Sequence, residues 1–325
     1  MSVPTIGITL GDPGGIGPEV ILKTISQKNA LPGARIVIFG SGRILEAEKQ
    51  ALGLNPRILP FEKAGGEDSP LFSLYEVPAP APAAKRGSPS AANGEASFLF
   101  FEEAVKKARE GIIDAVVTGP VSKHSWNLAG ITYAGHTEYL SRIFPQAIMS
   151  FWSESLKVSL FTHHMPLKKA LAQVKKTKLL HFFLSLQRIF EDIKISKFRF
   201  LVAGLNPHAG ESGLMGDEEI REIAPAVAEA RKRGMPIQGP FPPDVIFRQS
   251  LGQPDTMTIA LFHDQGLIAF KIVAFEDGVN VTLGLPFVRT SPDHGTAFDI
   301  VGQNAASPKS MIESLKLAVR LIPSR

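Results

Sequence analysis

Thr5-Ile6-Gly7-Ile8-Thr9-Leu10 runs straight into Gly11-Asp12-Pro13-Gly14-Gly15-Ile16-Gly17-Pro18-Glu19, and this stretch decides the fold class. A short apolar run closed by a glycine-rich turn, with proline at the first helical position, spells strand, tight turn, helix. Glycines let a backbone approach a ligand closely, and a helix N-terminus favours an anion. The competing reading is a ligand-free turn that merely connects strand to helix. The spacing of Gly14, Gly15 and Gly17 is not the dinucleotide fingerprint G-x-G-x-x-G, so it gives no ground for a Rossmann assignment.

The same rhythm repeats along the chain. Arg35–Phe39, Ala115–Thr118, Lys157–Phe161, Phe198–Val202, Met257–Leu261 and Gly278–Thr282 read as buried strands. Pro18–Ser26, Ser97–Glu110 with Ser97 as N-cap, Leu167–Ile193 and Glu218–Arg233 read as helices. Alternation of this kind predicts an α/β protein. Residues Pro78–Ala96, rich in Pro, Ala, Ser and Gly, read as a long exposed loop. At 325 residues the chain exceeds one core at roughly 150 residues per domain, so two domains are expected. Residues 1–133 together with 285–325 are expected to form the first, discontinuous domain, and 134–284 the second.

Composition narrows the function classes. With 44% hydrophobic and 20% charged residues the chain is an ordinary globular one. Cysteine is absent, so any metal must sit on nitrogen and oxygen. The net charge of +4 is dispersed, which argues against nucleic acid and suits small anions. No apolar run approaches the ~20 residues of a membrane helix, and the amino terminus lacks a secretory pattern. A cytoplasmic protein is expected.

Histidines carry the clearest chemical signal. Phe161-Thr162-His163-His164, Leu205-Asn206-Pro207-His208 and Phe262-His263-Asp264 each follow an apolar strand, where open α/β sheets bind ligands. Three such imidazoles can hold a divalent ion and leave a position open for substrate, with Asp264 or Asp244 as further ligand or support. Spacing alone does not choose between His163 and His164. The block Arg289 to Gly302 offers backbone donors, an imidazole and two carboxylates in a polar loop, suited to a nucleotide. Gly135-His136-Thr137-Glu138, with Thr137 as helix N-cap, and the distant Lys271, Asn280 and Arg289 supply the donors that a phosphate or carboxylate demands.

Gly11–Glu19, Gly135–Glu138, Leu205–Glu211, His263–Gly266 and Ser291–Ala297, in this order and spanning nearly the whole chain, resemble the 4-hydroxythreonine-4-phosphate dehydrogenase family of vitamin B6 synthesis. The first and last blocks are also similar to isocitrate and isopropylmalate dehydrogenases, whose fold that family shares. The resemblance implies two α/β/α domains with a cleft between them. It implies His164, His208 and His263 as ligands of a divalent metal (Zn, Mg, Co or Mn) at a site shared across a homodimer. His136, Thr137, Lys271, Asn280 and Arg289 match the substrate-binding positions, and His163 stands where the family more often has threonine. Asp293, His294, Gly295, Thr296 and Asp299 are the expected contacts to NAD, with NADP the alternative cofactor. The implied reaction is oxidation of 4-phosphooxy-L-threonine to a 3-keto acid that decarboxylates to 3-amino-2-oxopropyl phosphate. Lys271, Asp244 and Asp264 are the candidate bases. A paralogue acting on threonate or erythronate 4-phosphate or an aromatic cis-dihydrodiol would share these motifs. A non-catalytic phosphate- or nucleotide-binding protein is disfavoured by the intact histidine set.

Overall fold

The computed structural model describes residues 3–27, 31, 33–63, 71–82, 86–195 and 197–323. Among them the strands are β1 (Thr5–Thr9), β2 (Arg35–Gly40), β3 (Leu59–Pro60), β4 (Phe72–Glu76), β5 (Ala115–Thr118), β6 (Ile148–Trp152), β7 (Lys157–Leu160), β8 (Arg199–Ala203), β9 (Ile237–Phe241), β10 (Thr256–Ala260), β11 (Val279–Leu283) and β12 (Val288–Pro292). The α-helices are α1 (Gly17–Ser26), α2 (Gly42–Leu52), α3 (Ala91–Arg109), α4 (Lys123–Leu128), α5 (His136–Ile143), α6 (Leu167–Gln173), α7 (Lys176–Asp192), α8 (Ala224–Lys232), α9 (Ile246–Ser250), α10 (His263–Ala274) and α11 (Lys309–Leu321). The chain divides into two compact units, Met1–Pro145 with Leu285–Arg325, and Gln146–Gly284. The division after Pro145 falls beyond α5, so His136 and Thr137 belong to the first unit.

In the first unit the strands lie in the order β3-β4-β2-β1-β5-β12, all parallel. Parallel strands covered on both faces need apolar residues at nearly every position. β1, β2 and β5 comply, with Ile6, Ile8, Ile36, Ile38, Val116 and Val117 buried. The chain leaves β1 towards β2 on one side and returns through β5 on the other, which opens a crevice beyond the carboxyl ends of β1 and β5. There Asp12 N–H donates to Pro120 O at 2.9 Å. Gly11 has φ +72°, and a Cβ on it would lie 2.4 Å from that same carbonyl, so glycine is required.

In the second unit the order is β11-β6-β7-β10-β8-β9. β6 is antiparallel to both neighbours, while β7, β10, β8 and β9 run parallel. The carboxyl ends of β7, β10 and β8 therefore share one edge. Phe151, Leu156, Val158, Leu160, Leu267 and Phe270 form its core beneath α10.

Several local expectations are corrected. Ser97 does not cap α3, which begins at Ala91 with the Ser90 side chain accepting from Asn93 N–H. Ser97 lies buried inside the helix, donating to Gly94 O and accepting from Trp126 Nε1 at 2.9 Å. An internal glycine is tolerated because a Cβ on Gly94 would collide with Ser125 O. The expected loop Pro78–Ala96 is therefore shorter, and its residues 83–85 lie outside the described residues. The expected helix Leu167–Ile193 is two helices, because the Glu222 carboxylate accepts Lys176 N–H at 2.7 Å and starts α7 anew. Glu218–Arg233 opens with a π-helical turn, Glu219–Ile223, ahead of α8. Gly135, at φ 134°, precedes α5 in the cap position, and Thr137 is already helical. Arg289 belongs to strand β12, so the polar loop starts only after Pro292.

Candidate functional site

β7 and β10 are neighbours in register, Leu160 opposite Ala260, so the residues that follow them meet. Phe161 N–H donates to Ala260 O at 2.9 Å and Thr162 Oγ1 donates to Leu261 O at 2.7 Å. These bonds set His164 beside His263, with ring centroids 5.6 Å apart. His164 has φ 46°, a left-handed conformation unusual for a residue with a Cβ, of the kind that clusters at functional sites. The two histidines, with His163 and Asp264, line a cavity of about 470 Å³ whose remaining wall includes Met165 and Leu167.

Asp264 Oδ1 lies 2.7 Å from Nδ1 of His263. With the carboxylate accepting a hydrogen bond from Nδ1–H, the ring is oriented and Nε2 is left as the lone-pair donor. His163 has a different character. Its Nδ1 is buried without a hydrogen-bond partner among the described residues, and burial, followed by the proximity of His263, lowers its pKa. Its ring stands perpendicular to that of His164.

The third expected ligand lies elsewhere on the same sheet edge. His208 follows β8, exposed on a tight turn, and is not part of the cavity wall. Among the described residues of one chain, no three His, Asp or Glu side chains are gathered closely enough to hold a metal. Asp244, exposed beyond β9, and Lys271, two turns along α10 from His263, do not line the cavity either. Asn280 lies in β11 opposite Phe151.

In the first unit the structure brings Arg289 and His136 together. Arg289 is 3% exposed, and its Nη2 donates to Thr118 Oγ1 at 2.6 Å and lies 3.4 Å from His136 Nδ1. A guanidinium only donates, so Nδ1 is the acceptor and the imidazole carries its proton on Nε2. Burial, reinforced by the Arg289 charge, holds the His136 pKa well below the ordinary histidine value, so the ring is neutral. Burial also pulls Arg289 down to about 9, which still leaves it charged at neutral pH. Phe101 and Trp126 pack edge-on against His136 and seal it from water. Thr118 escaped the sequence reading; the one polar residue closing the run Ala115-Val116-Val117 was its only signal.

The glycine-rich turn and the expected nucleotide loop are parts of one construction. Ile16 N–H donates to Thr296 O at 3.0 Å, and a Cβ on Gly15 would stand 2.8 Å from Thr296 Cβ. Glu19, fully buried, accepts from Ala306 N–H at 3.0 Å and from Lys23 Nζ at 2.8 Å. The turn thus fastens α1 to residues 296–306. Thr296 is committed to this contact, whereas Gly295 has open space around it. His294 Nδ1 lies 3.1 Å from Gly295 O, Asp293 N–H donates to Ser310 Oγ, and Asp299 sits in a single 3-10 turn. Asp12, also fully buried, accepts Gly14 N–H at 2.8 Å; burial raises its pKa, and the Ser125 and Gly14 hydrogen bonds oppose that rise.

The sequence of the chain matches, over residues 33–318, the family model described as pyridoxal phosphate biosynthetic protein PdxA. The chain belongs to the PdxA family. It is 38% identical to D-threonate 4-phosphate dehydrogenase of Salmonella typhimurium, over 99% of this chain and 100% of that protein. The crystal structure of 4-hydroxythreonine-4-phosphate dehydrogenase from Klebsiella pneumoniae superposes with TM-score 0.85 at 39% identity, covering 99% of each chain. At the level of fold alone, isocitrate dehydrogenase from Methylococcus capsulatus is similar, with TM-score 0.50, 12% identity and coverage of 98% of this chain and 85% of that one. This PdxA-family chain is accordingly an α/β oxidoreductase of the isocitrate dehydrogenase-like fold. Among its described residues no helix is long and apolar enough to cross a membrane.

Proposed function

We propose that this PdxA-family enzyme oxidises a four-carbon phosphorylated hydroxy acid, 4-phosphooxy-L-threonine, with NAD and a divalent metal. The 3-keto acid formed loses carbon dioxide to give 3-amino-2-oxopropyl phosphate. The observation that carries the reading is the pairing of His164 with His263 at the mouth of two adjacent strands, facing a cavity that a small substrate fits. A ring spacing of 5.6 Å suits two imidazoles on one ion, and Asp264 already orients one of them. Two nitrogens do not complete a site. His208 is the third ligand, supplied by the partner subunit of a homodimer.

Apolar exposure supports that dimer. Ile268, Ile272 and Phe275 on and just beyond α10, and Leu214 and Met215 beside the His208 turn, are exposed; Ile272 is 82% and Leu214 84% accessible. Surfaces of this kind mark an interface. Imidazole donors favour zinc and cobalt over manganese and magnesium.

When bound, the metal supplies Lewis-acid polarisation of the substrate oxygen and NAD supplies the hydride acceptor. The protein's own residues do the rest. Arg289 and neutral His136, both buried, offer N–H donors to the anionic end of the substrate, with Thr137 at the start of α5; Lys271 and Asn280 are the further candidates for its polar groups. Asp264 lines the cavity and is the candidate that accepts the hydroxyl proton, ahead of Asp244 and Lys271. Residues 293–299, fastened to the glycine-rich turn, bind the nucleotide, through the carboxylates of Asp293 and Asp299, the His294 ring and the open backbone at Gly295.

Arg289→Lys keeps the charge but loses the planar fork and its bond to Thr118. KM for the phosphorylated substrate is expected to rise roughly 10–100-fold, while NAD affinity measured without substrate stays within about twofold. Loss of NAD affinity with unchanged KM would assign Arg289 to the cofactor.

The full-length likeness to a D-threonate 4-phosphate dehydrogenase supports a second reading, with threonate or erythronate 4-phosphate as substrate. A panel decides. 4-Phosphooxy-L-threonine, threonate 4-phosphate, erythronate 4-phosphate and an unphosphorylated cis-dihydrodiol are each incubated with NAD and cobalt, and NADH and carbon dioxide are followed. NADH from the amino substrate above all others supports the first reading. NADH from threonate or erythronate phosphate alone supports the second, and turnover of the dihydrodiol alone contradicts both.

A further inference from the structure

His208, Ala209, Gly210, Glu211 and Ser212 all have positive φ, from 41° to 81°. L-residues visit this region singly rather than in series, because Cβ crowds the following carbonyl. Four of these five residues carry a Cβ, so the surroundings must impose the conformation. The residues that lead into this turn are held by a buried carboxylate from a different segment.

Glu219 is 3% exposed and begins the π-helical turn that precedes α8. Its Oε1 accepts the backbone N–H of Leu205 at 2.7 Å and of Asn206 at 2.8 Å. Its Oε2 accepts from Asn206 Nδ2 at 2.9 Å, and the same amide donates to Glu218 Oε2 at 2.8 Å. Together these bonds fix the two residues that enter Pro207-His208. The glycines nearby leave no slack: a Cβ on Gly210 would stand 2.8 Å from Glu219 Oε2, and one on Gly204 3.0 Å from Ala209. Gln265, on α10, adds a strut. Its Nε2 donates to Gly204 O and its Oε1 accepts Leu261 N–H, both at 2.7 Å, joining the base of the turn to the strand end that leads to His263.

We propose that Glu219 is a positioning residue: it holds the left-handed turn so that His208 is displayed, already shaped, before any metal arrives. The proposal rests on the reading of His208 as a metal ligand. A turn that had to order itself on binding would give up part of the metal's binding energy, and Glu219 removes that cost in advance.

Glu219→Gln keeps the volume and one accepting oxygen but turns an NH2 towards the Asn206 NH2. Cobalt(II) alone is titrated into the metal-free protein and followed by its visible absorption and by calorimetry. The dissociation constant is expected to rise roughly 10–100-fold, the usual effect of a residue behind a ligand, with a changed cobalt spectrum. His208→Ala also weakens binding, and in that background Glu219→Gln should add less than about twofold, because both act through one imidazole. Equal weakening by Glu219→Gln with and without His208 would overturn the proposal by showing a general structural role. An unchanged constant in the single variant would overturn it as well. His208→Ala without effect on cobalt would instead overturn the ligand reading, and the positioning role with it. If Glu219→Gln fails to fold, Asn206→Ala, which spares both backbone bonds, takes its place, with a smaller weakening expected only when His208 is present.

Discussion

His263→Ala is expected to abolish turnover, by at least ~10³-fold in kcat/KM, which corresponds to about 4 kcal/mol of lost transition-state stabilisation. The substitution removes the cavity's best-oriented nitrogen and also orphans Asp264, which is held to that ring at 2.7 Å. The fold should survive. The His263 side chain is 40% exposed and begins a helix, so its truncation opens no core cavity, and the thermal midpoint should move by only a few degrees. His164→Ala should behave in the same way. His163→Thr, by contrast, should retain most activity, because the neighbouring pair on which the reading rests is His164 and His263, with His163 set perpendicular to the His164 ring. Steady-state rates with added zinc or cobalt, beside chelator-treated wild type, make the comparison. A His263→Ala enzyme with near-normal rates would remove the metal from the account.

Two dead variants should revive each other. If one subunit supplies His164 and His263 and its partner His208, a mixed dimer of His208→Ala and His263→Ala chains holds one site with both lesions and one with neither. Random exchange at equal concentrations makes half of all dimers mixed, each with one working site of two, so activity should climb from background to about a quarter of wild type. Dissociating and reassembling the purified variants together, with a tag on each to count mixed dimers, provides the measurement. Mixed dimers that form and stay inactive would mean that each chain completes its own site.

The strands that the sequence revealed, β1, β2, β5, β7, β8, β10 and β11, are almost wholly buried and carry Ile, Val, Leu, Phe or Met at much of their length. β9 (Ile237-Gln238-Gly239-Pro240-Phe241) and β12 (Val288-Arg289-Thr290-Ser291-Pro292) could not be read in this way. In β12 the polar residues are accommodated by partners distant in sequence: Thr118 for Arg289, and Ser314 O for the Thr290 hydroxyl. The start of α7 was hidden for a similar reason, since its first N–H is satisfied by Glu222, 46 residues away. Proximity of His164 to His263 was legible because both follow strands, and neighbouring parallel strands deliver their ends to one edge. The neutral state of His136 was not, because it depends on burial under Phe101 and Trp126 and on the charge of Arg289. Nor were the bonds of Glu219, since nothing in Leu205-Asn206-Pro207-His208 announces which carboxylate will receive its backbone donors.

The proposed enzyme would hold a single metal ion per site on three imidazoles, two from one subunit and one from the other. A crystal structure of the cobalt- or zinc-loaded protein, with anomalous scattering recorded at the metal edge, tests it most directly. One anomalous peak per subunit is expected, about 2.0–2.2 Å from an imidazole nitrogen of His164 and of His263 in one chain and of His208 in its partner. Peaks away from these residues, or a metal at His164 and His263 with every His208 ring beyond reach in the assembled dimer, would contradict it.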